Sequence, residues 1–185
     1  MITDYIDVIS TDNIENEKIK FNLWKEGWDN LETFDCHGLD WKNLKWKKVR
    51  FLTDENGTEI GLINNKVGGI YMIVCETNVH FLHKYILYIG RAHITQNQNL
   101  RKRCKEYYNT YLKYKNSNLG EIRITTRPKV NMLLHIYAPY LCIYYCELSD
   151  NKIIDALEQT LIALIIPPCN KELPGKLNKA VSAAF

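Results

Sequence analysis

Hydrophobic positions along the chain change period several times, and each change marks an element. Gly68-Gly69-Ile70-Tyr71-Met72-Ile73-Val74-Cys75 and Lys84-Tyr85-Ile86-Leu87-Tyr88-Ile89-Gly90 are rich in β-branched and aromatic residues, the composition of pleated, half-buried strands. The more polar residues between them, Glu76 to His83, predict a hairpin with a long loop. From about Gln98 to Lys115 the period lengthens. Leu100, Cys104, Tyr107, Tyr108, Tyr111 and Leu112 fall on one face of a 3.6-residue helix, and Asn97 or Asn99 can cap its start. Arg101, Lys102, Lys105, Lys113 and Lys115 lie mostly off that face. Arg103 stands one turn before Tyr107, at the edge of the apolar stripe, where it can reach toward the sheet. Tyr140 to Cys146 returns to a strand pattern. Ser149 or Asp150 then caps a helix from about Asn151 to Ile165, with Ile153, Ile154, Leu157, Leu161, Leu164 and Ile165 as its stripe and Pro167-Pro168 as its stop.

The remaining stretches are less regular. Arg123-Ile124-Thr125-Thr126 reads as a short strand and Val130 to Tyr137 as a short helix. Asn56-Gly57 marks a turn between Val49–Leu52 and Ile60–Ile63, which predicts a short hairpin. Residues 1–66 contain all four tryptophans (Trp24, Trp28, Trp41 and Trp46) and are acidic, with 13 Asp/Glu against 9 Lys/Arg. No Pro/Gly linker follows them, so they read as an N-terminal accessory extension on a main domain of residues 67–185. The predicted fold class is α/β of the α+β kind: a small central, mainly antiparallel sheet of about three strands, flanked by helices.

A chain of 185 residues with 46% hydrophobic and 24% charged residues can bury a real core. No apolar run reaches the ~18 residues of a membrane span, and Met1-Ile2-Thr3-Asp4 begins no signal peptide. The expectation is a cytoplasmic protein with no membrane partner. Cys36, Cys75, Cys104, Cys142, Cys146 and Cys169 form no CxxC pair. They read as reduced, mostly core thiols; Cys142 and Cys146 can share a strand face but lack two further ligands for zinc. The net charge of +3 is unevenly spread. Residues 84–129 hold 11 Lys/Arg and only 2 Asp/Glu, a local excess that suits either a phosphate backbone or a solvated basic helix.

Gly69-Ile70-Tyr71 followed by Tyr88-Ile89-Gly90, each in a predicted strand of one hairpin, resembles the GIY-YIG nucleases. The order that follows matches that family too: a basic helix with Asn99-Leu100-Arg101-Lys102-Arg103, a strand, a helix bearing Glu158, then Asn170 beyond the Pro-Pro stop. The resemblance spans about residues 67–173. It implies hydrolysis of DNA phosphodiesters with one Mg²⁺ or Mn²⁺ ion per active site. Tyr71 matches the general base or water-activating tyrosine, Tyr88 the second tyrosine that positions the nucleophile, and Arg103 the arginine that stabilises phosphate charge. Glu158 matches the sole protein ligand of the metal, and Asn170 a polar residue that supports the site. Arg91, with Arg101, Lys102 and Lys105, would contact the substrate. A tyrosine base needs its pKa of ~10 lowered by metal or arginine. Each residue also has a plainer reading: the tyrosines as core, Arg103 and Arg91 as surface charge, Glu158 as a glutamate snorkelling outward, Asn170 as a loop-former.

Three departures stand out. The stretch between Tyr71 and Tyr88 is longer than in compact homing enzymes, and His93 to Gln98 lengthen the passage to the helix. Tyr107 stands where many relatives carry a histidine, for which His93 could substitute or else be a surface imidazole. The twelve-residue spacing from Glu158 to Asn170, without a zinc module, looks like the stand-alone restriction endonucleases of the family, which often act on double-stranded DNA as oligomers. The alternatives are a structure-specific or mobile-element nuclease acting with a partner, an RNA-cleaving member, or a non-catalytic nucleic-acid-binding domain.

Overall fold

The computed structural model describes residues 44–76, 84–123 and 125–170. Four strands, β1 (Trp46–Arg50), β2 (Gly68–Glu76), β3 (Lys84–Ala92) and β4 (Leu141–Leu148), form one antiparallel sheet in the order β1-β4-β2-β3. Among the described residues four α-helices accompany it: α1 (Leu100–Tyr114), α2 (Leu119–Arg123), α3 (Pro128–Tyr137) and α4 (Asn151–Ile165). The protein is therefore α+β, an antiparallel sheet flanked by helices. Trp24, Trp28, Trp41, Cys36, residues 77–83 and residues 171–185 lie outside the described residues.

The sheet has one strand more than expected. The additional one, β1, comes from the stretch assigned to the N-terminal extension, and it pairs with β4, Trp46 opposite Cys146 and Arg50 opposite Cys142. The Asn56-Gly57 turn exists, with Asp54 Oδ1 accepting from the amides of Asn56 (2.9 Å) and Gly57 (2.6 Å). It closes no hairpin, because Ile60–Leu62 is a 3-10 helix. The eight-residue β4 offers a longer edge than that segment, and pairing continues past β1 from the Phe51 amide to the Leu141 carbonyl at 3.0 Å. The strand expected over 123–126 is also replaced. Leu119–Arg123 is helical, and Asn118 Oδ1 accepts from the Glu121 amide at 3.0 Å, an N-terminal cap that outweighs weak strand propensity.

The other boundaries follow their local signals. Asn99 caps α1 through the Lys102 amide, and Asp150 caps α4 through the Lys152 amide. At the far end of α4, Ile166 adopts the left-handed conformation (φ 49°) and its amide closes on the Ile162 carbonyl before Pro167. The α1 stripe buries Leu100, Cys104, Tyr107 and Tyr108, whereas Leu112 at its end is 37% exposed. No described helix is long and apolar enough to cross a membrane. The five described cysteines are free, buried thiols.

Alternation along β2 sorts its side chains into two cores. Tyr71, Ile73 and Cys75 join Leu100, Cys104, Tyr107 and others beneath α1 and α3. Ile70, Met72 and Val74 pack with Ile89, Ile154 and Leu157 beneath α4. Between Ile73↔Tyr88 and Val74↔Ile86 the register shifts, leaving Leu87 as a bulge. That extra residue puts Tyr88 on the α1 side although Ile86, two residues earlier, faces α4.

At one end of the sheet Glu76 gathers Lys48, Lys84 (3.4 Å) and the Tyr144 hydroxyl (2.5 Å). Burial opposes its charge, but these donors outweigh it and hold its pKa at about 2. A carboxyl depressed in the folded state adds stability above its ordinary pKa, and that stability is lost as pH falls through the folded value. Glu76→Gln is expected to cost about 1–2 kcal/mol at pH 7, after allowance for solvent screening. In urea denaturation the difference from wild type should shrink steadily below pH 4.5 and be largely gone near pH 2.

Candidate active site

The two tripeptides are spelled by packing. Gly69 has φ 151°, a conformation that side chains rarely adopt, and a Cβ there would strike the Cys146 carbonyl of β4. Gly90 lies opposite Tyr71, and a Cβ there would stand 2.5 Å from Tyr71 Cζ and 2.8 Å from Tyr88 Cε1. The tyrosine rings occupy the space that a side chain would need. Ile70 and Ile89, both fully buried, point the other way into the α4 core.

Three tyrosines meet on the α1 side of the sheet. The ring centroids are 6.2 Å apart for Tyr71–Tyr88, 5.8 Å for Tyr71–Tyr107 and 6.0 Å for Tyr88–Tyr107. The Tyr71 and Tyr107 hydroxyls are 2.8 Å apart, and Arg127 Nη1 donates to the Tyr107 hydroxyl at 3.3 Å. Tyr71 is 0% exposed, and burial pushes its pKa well up, only partly offset by nearby Arg103. Burial raises Tyr107 as well. The lowered pKa that a tyrosine base requires is thus not found at Tyr71. Half-buried Tyr88 is the member of the trio open to solvent.

Arg103 comes from α1. Its guanidinium lies 5.7 Å from the Tyr107 ring centroid, and Nη1 donates to Glu106 Oε2 at 2.6 Å. Glu158 comes from α4, on the other side of the sheet. Its Oε2 accepts from Arg91 Nη1 at 2.6 Å, and Arg91 Nε reaches Asp155 Oδ1 at 3.1 Å. His93 Nε2 is 2.5 Å from the same Asp155 oxygen, so His93 meets Asp155 on the α4 side of the sheet. The side chain of Glu158 is 17% exposed. Burial raises its pKa in spite of Arg91, with Arg103 also near enough to lower it.

Asn170 bonds the backbone of β3. Its Oδ1 accepts from the Ile89 amide at 2.9 Å and its Nδ2 donates to the Ile89 carbonyl at 2.8 Å, while the Cys169 amide bonds the Leu87 carbonyl at 2.9 Å. Asn170 thus clamps the open edge of β3 next to Tyr88, satisfying backbone groups that no further strand covers. Asn170→Ala should cost about 1–3 kcal/mol, read as a lower urea midpoint with an unchanged m-value. A midpoint equal to wild type would remove the clamp.

The basic residues divide. Arg101 donates its Nε to the Ile63 carbonyl, tying α1 to the 3-10 segment. Lys102 reaches the Asn97 carbonyl at 2.6 Å, and Lys105 is exposed on the outer side of α1. None of the three reaches the tyrosine trio. Arg127, which nothing in the sequence singled out, does. The only local signal was Pro128, favoured at the first position of a helix, which makes Arg127 the N-cap of α3.

Among the described residues no group of three or more His, Cys, Asp or Glu side chains is placed to hold an ion. Glu158, with Asp155 beside it on the same Arg91, can offer a carboxylate to a metal: burial raises its pKa even with Arg91 in contact, and a hydrated divalent cation would add positive charge there. The class defined by these observations is an α+β protein with a tyrosine–arginine cluster on one side of its sheet and a carboxylate–arginine pair on the other. Comparison of the chain with known protein families, with curated proteins and with solved structures finds no match.

Proposed function

We propose that the protein is a metal-dependent DNA endonuclease of the GIY-YIG type, cutting double-stranded DNA in the cytoplasm like a stand-alone type II restriction enzyme. One observation carries this reading. Tyr71, Tyr88 and Tyr107 meet on one side of the sheet with Arg103 of α1 against them, and on the other side Glu158 of α4 meets Arg91, the residue after Gly90. Residues tens of positions apart thus supply the aromatic hydroxyls, the guanidinium and the carboxylate that the resemblance assigns.

Each side chain has a chemical task in this reading. Arg103 offers a planar fork to a non-bridging phosphate oxygen, where charge builds during hydrolysis, and gives up Glu106 to do so. The accessible Tyr88 hydroxyl orients the attacking water. Tyr71, whose proton is held by burial, aligns the network through Tyr107. Arg91 leaves Glu158 for a substrate phosphate. A Mg²⁺ or Mn²⁺ ion on Glu158 would supply Lewis-acid stabilisation of the phosphate charge. Support for the restriction type is the Glu158-to-Asn170 spacing and the building of β1 into the same sheet as the tyrosine strands.

The full burial of Tyr71 and the engagement of Glu158 by Arg91 favour a second reading, a non-catalytic nucleic-acid-binding domain. Purified protein incubated with supercoiled and linear duplex DNA, in Mg²⁺ or EDTA, separates the two. Discrete fragments formed only with Mg²⁺ are expected. Retention of DNA without cleavage selects the binding domain, and neither cleavage nor retention rejects both.

A further inference from the structure

We infer that Arg127 and the cleft it borders hold a backbone phosphate of the bound strand beside the tyrosine trio, next to the phosphate that Arg103 meets; this rests on the nucleic-acid reading above. The cleft measures about 520 Å³ and runs beside α1, between that helix and the turn leading into α3. Arg103, Tyr107, Lys113 and Tyr114 line one wall, and Arg127 and Asn131 the other.

Charge decides what such a cleft takes. Three cations, Arg103, Lys113 and Arg127, face one acid, Glu106, and Glu106 is occupied by Arg103 at 2.6 Å. Among the described residues Arg127 has no carboxylate partner. Its bond to the Tyr107 hydroxyl is 3.3 Å, long beside the ~2.7–2.9 Å of a charge-assisted pair. A guanidinium with five donors and, among the described residues, the Tyr107 hydroxyl as its side-chain acceptor is poised for an anion.

The surroundings hold it in place. Asn131 Nδ2 donates to Thr125 Oγ1 at 2.8 Å, Thr125 Oγ1 donates to the Ile122 carbonyl at 2.7 Å, and the Asn131 amide bonds the Arg127 carbonyl at 3.0 Å. No side chain caps the first turn of the ten-residue α3, so the N-terminal end of the helix dipole adds to the positive field. The shape points to a strand, not a small anion. From Arg103 to Tyr114 the helix rises about 16 Å, the length of several phosphates at ~3.4 Å each along a duplex strand. At the far end half-buried Tyr114 presents a ring beside Lys113, a surface on which a base or sugar can lie.

The test is DNA affinity by fluorescence anisotropy on the full chain, in EDTA, from about 50 to 200 mM salt. Wild type is compared with Arg127→Gln, Arg127→Lys and Lys113→Gln, and with Lys152→Gln, the same charge change on α4 across the sheet. Arg127→Gln and Lys113→Gln should each lower the slope of log K against log salt by about 1, with affinity down about 3–10-fold. Arg127→Lys and Lys152→Gln should keep the wild-type slope. Lys113 is exposed, so its variant reports on the cleft even if Arg127→Gln disturbs the α3 cap. Equal slopes for Arg127→Gln, Lys113→Gln and wild type would overturn the inference alone, as would an equal loss in Lys152→Gln. A wild type without salt-dependent DNA affinity would overturn the nucleic-acid reading as well.

Discussion

Glu158→Ala is expected to lower single-turnover cleavage in Mg²⁺ by about 10³-fold or more, the scale for losing a metal ligand or an equivalent electrostatic group. DNA affinity in EDTA should hold or rise, because the substitution removes a negative charge near Arg91 and Arg103. The acidic pH dependence follows from the raised pKa of this carboxyl. Metal binding needs the ionised form, so cleavage should fail on acidification at a pH above the ordinary glutamate value of 4.5. Linkage gives the stability effect its sign. A carboxyl raised in the folded state contributes stability below its ordinary pKa and loses it as pH rises through the folded value. Glu158→Gln, which can still accept from Arg91, should therefore be no less stable than wild type at pH 7 while losing cleavage. Cleavage by Glu158→Ala within tenfold of wild type would show that the carboxylate is not the metal ligand.

Gly69→Ala is expected to be the most damaging single-methyl change in the described fold. The added Cβ meets the Cys146 carbonyl oxygen, with the carbonyl carbon 3.1 Å away and Leu100 Cδ2 at 3.3 Å. Those atoms are backbone in the middle of the sheet and a fully buried side chain, so neither can step aside. The φ of 151° adds conformational strain. Together these should cost about 3 kcal/mol or more, a fall in Tm of roughly 6–12 °C for a chain of this size. Gly61→Ala, where a Cβ meets nothing within 4 Å, should change Tm little. A Gly69→Ala protein that melts with wild type would mean β2 and β4 do not approach as described. The same closeness explains why this glycine precedes Tyr71: it lets β2 lie tightly on β4 while the tyrosine enters the core beneath α1.

Much of the secondary structure could be read locally. The helical period with Asn99 before it, and Asp150 with the Pro-Pro stop around α4, depend on neighbours within a turn or two. The two tyrosine strands were legible for the same reason, as was the arrival of Tyr71 and Tyr88 on one face, although the Leu87 bulge that secures it was not. The hairpin expected across Asn56-Gly57 failed because a turn signal specifies the bend, not the partner of the strand before it. β1 found β4, about a hundred residues away.

What the sequence alone determined is the two tyrosine strands, the last strand and the two long helices, the basic character of α1, and the motif residues that suggest a nuclease. The tertiary structure decided which of those residues meet. It brought Arg127 to Tyr107, set Arg91 against Glu158, turned Asn170 onto the backbone of β3, and sealed Tyr71 from water. These outcomes depend on burial and long-range pairing. Both are properties of the assembled layers, and no window of neighbouring residues encodes the dielectric or the partners that a side chain will find there.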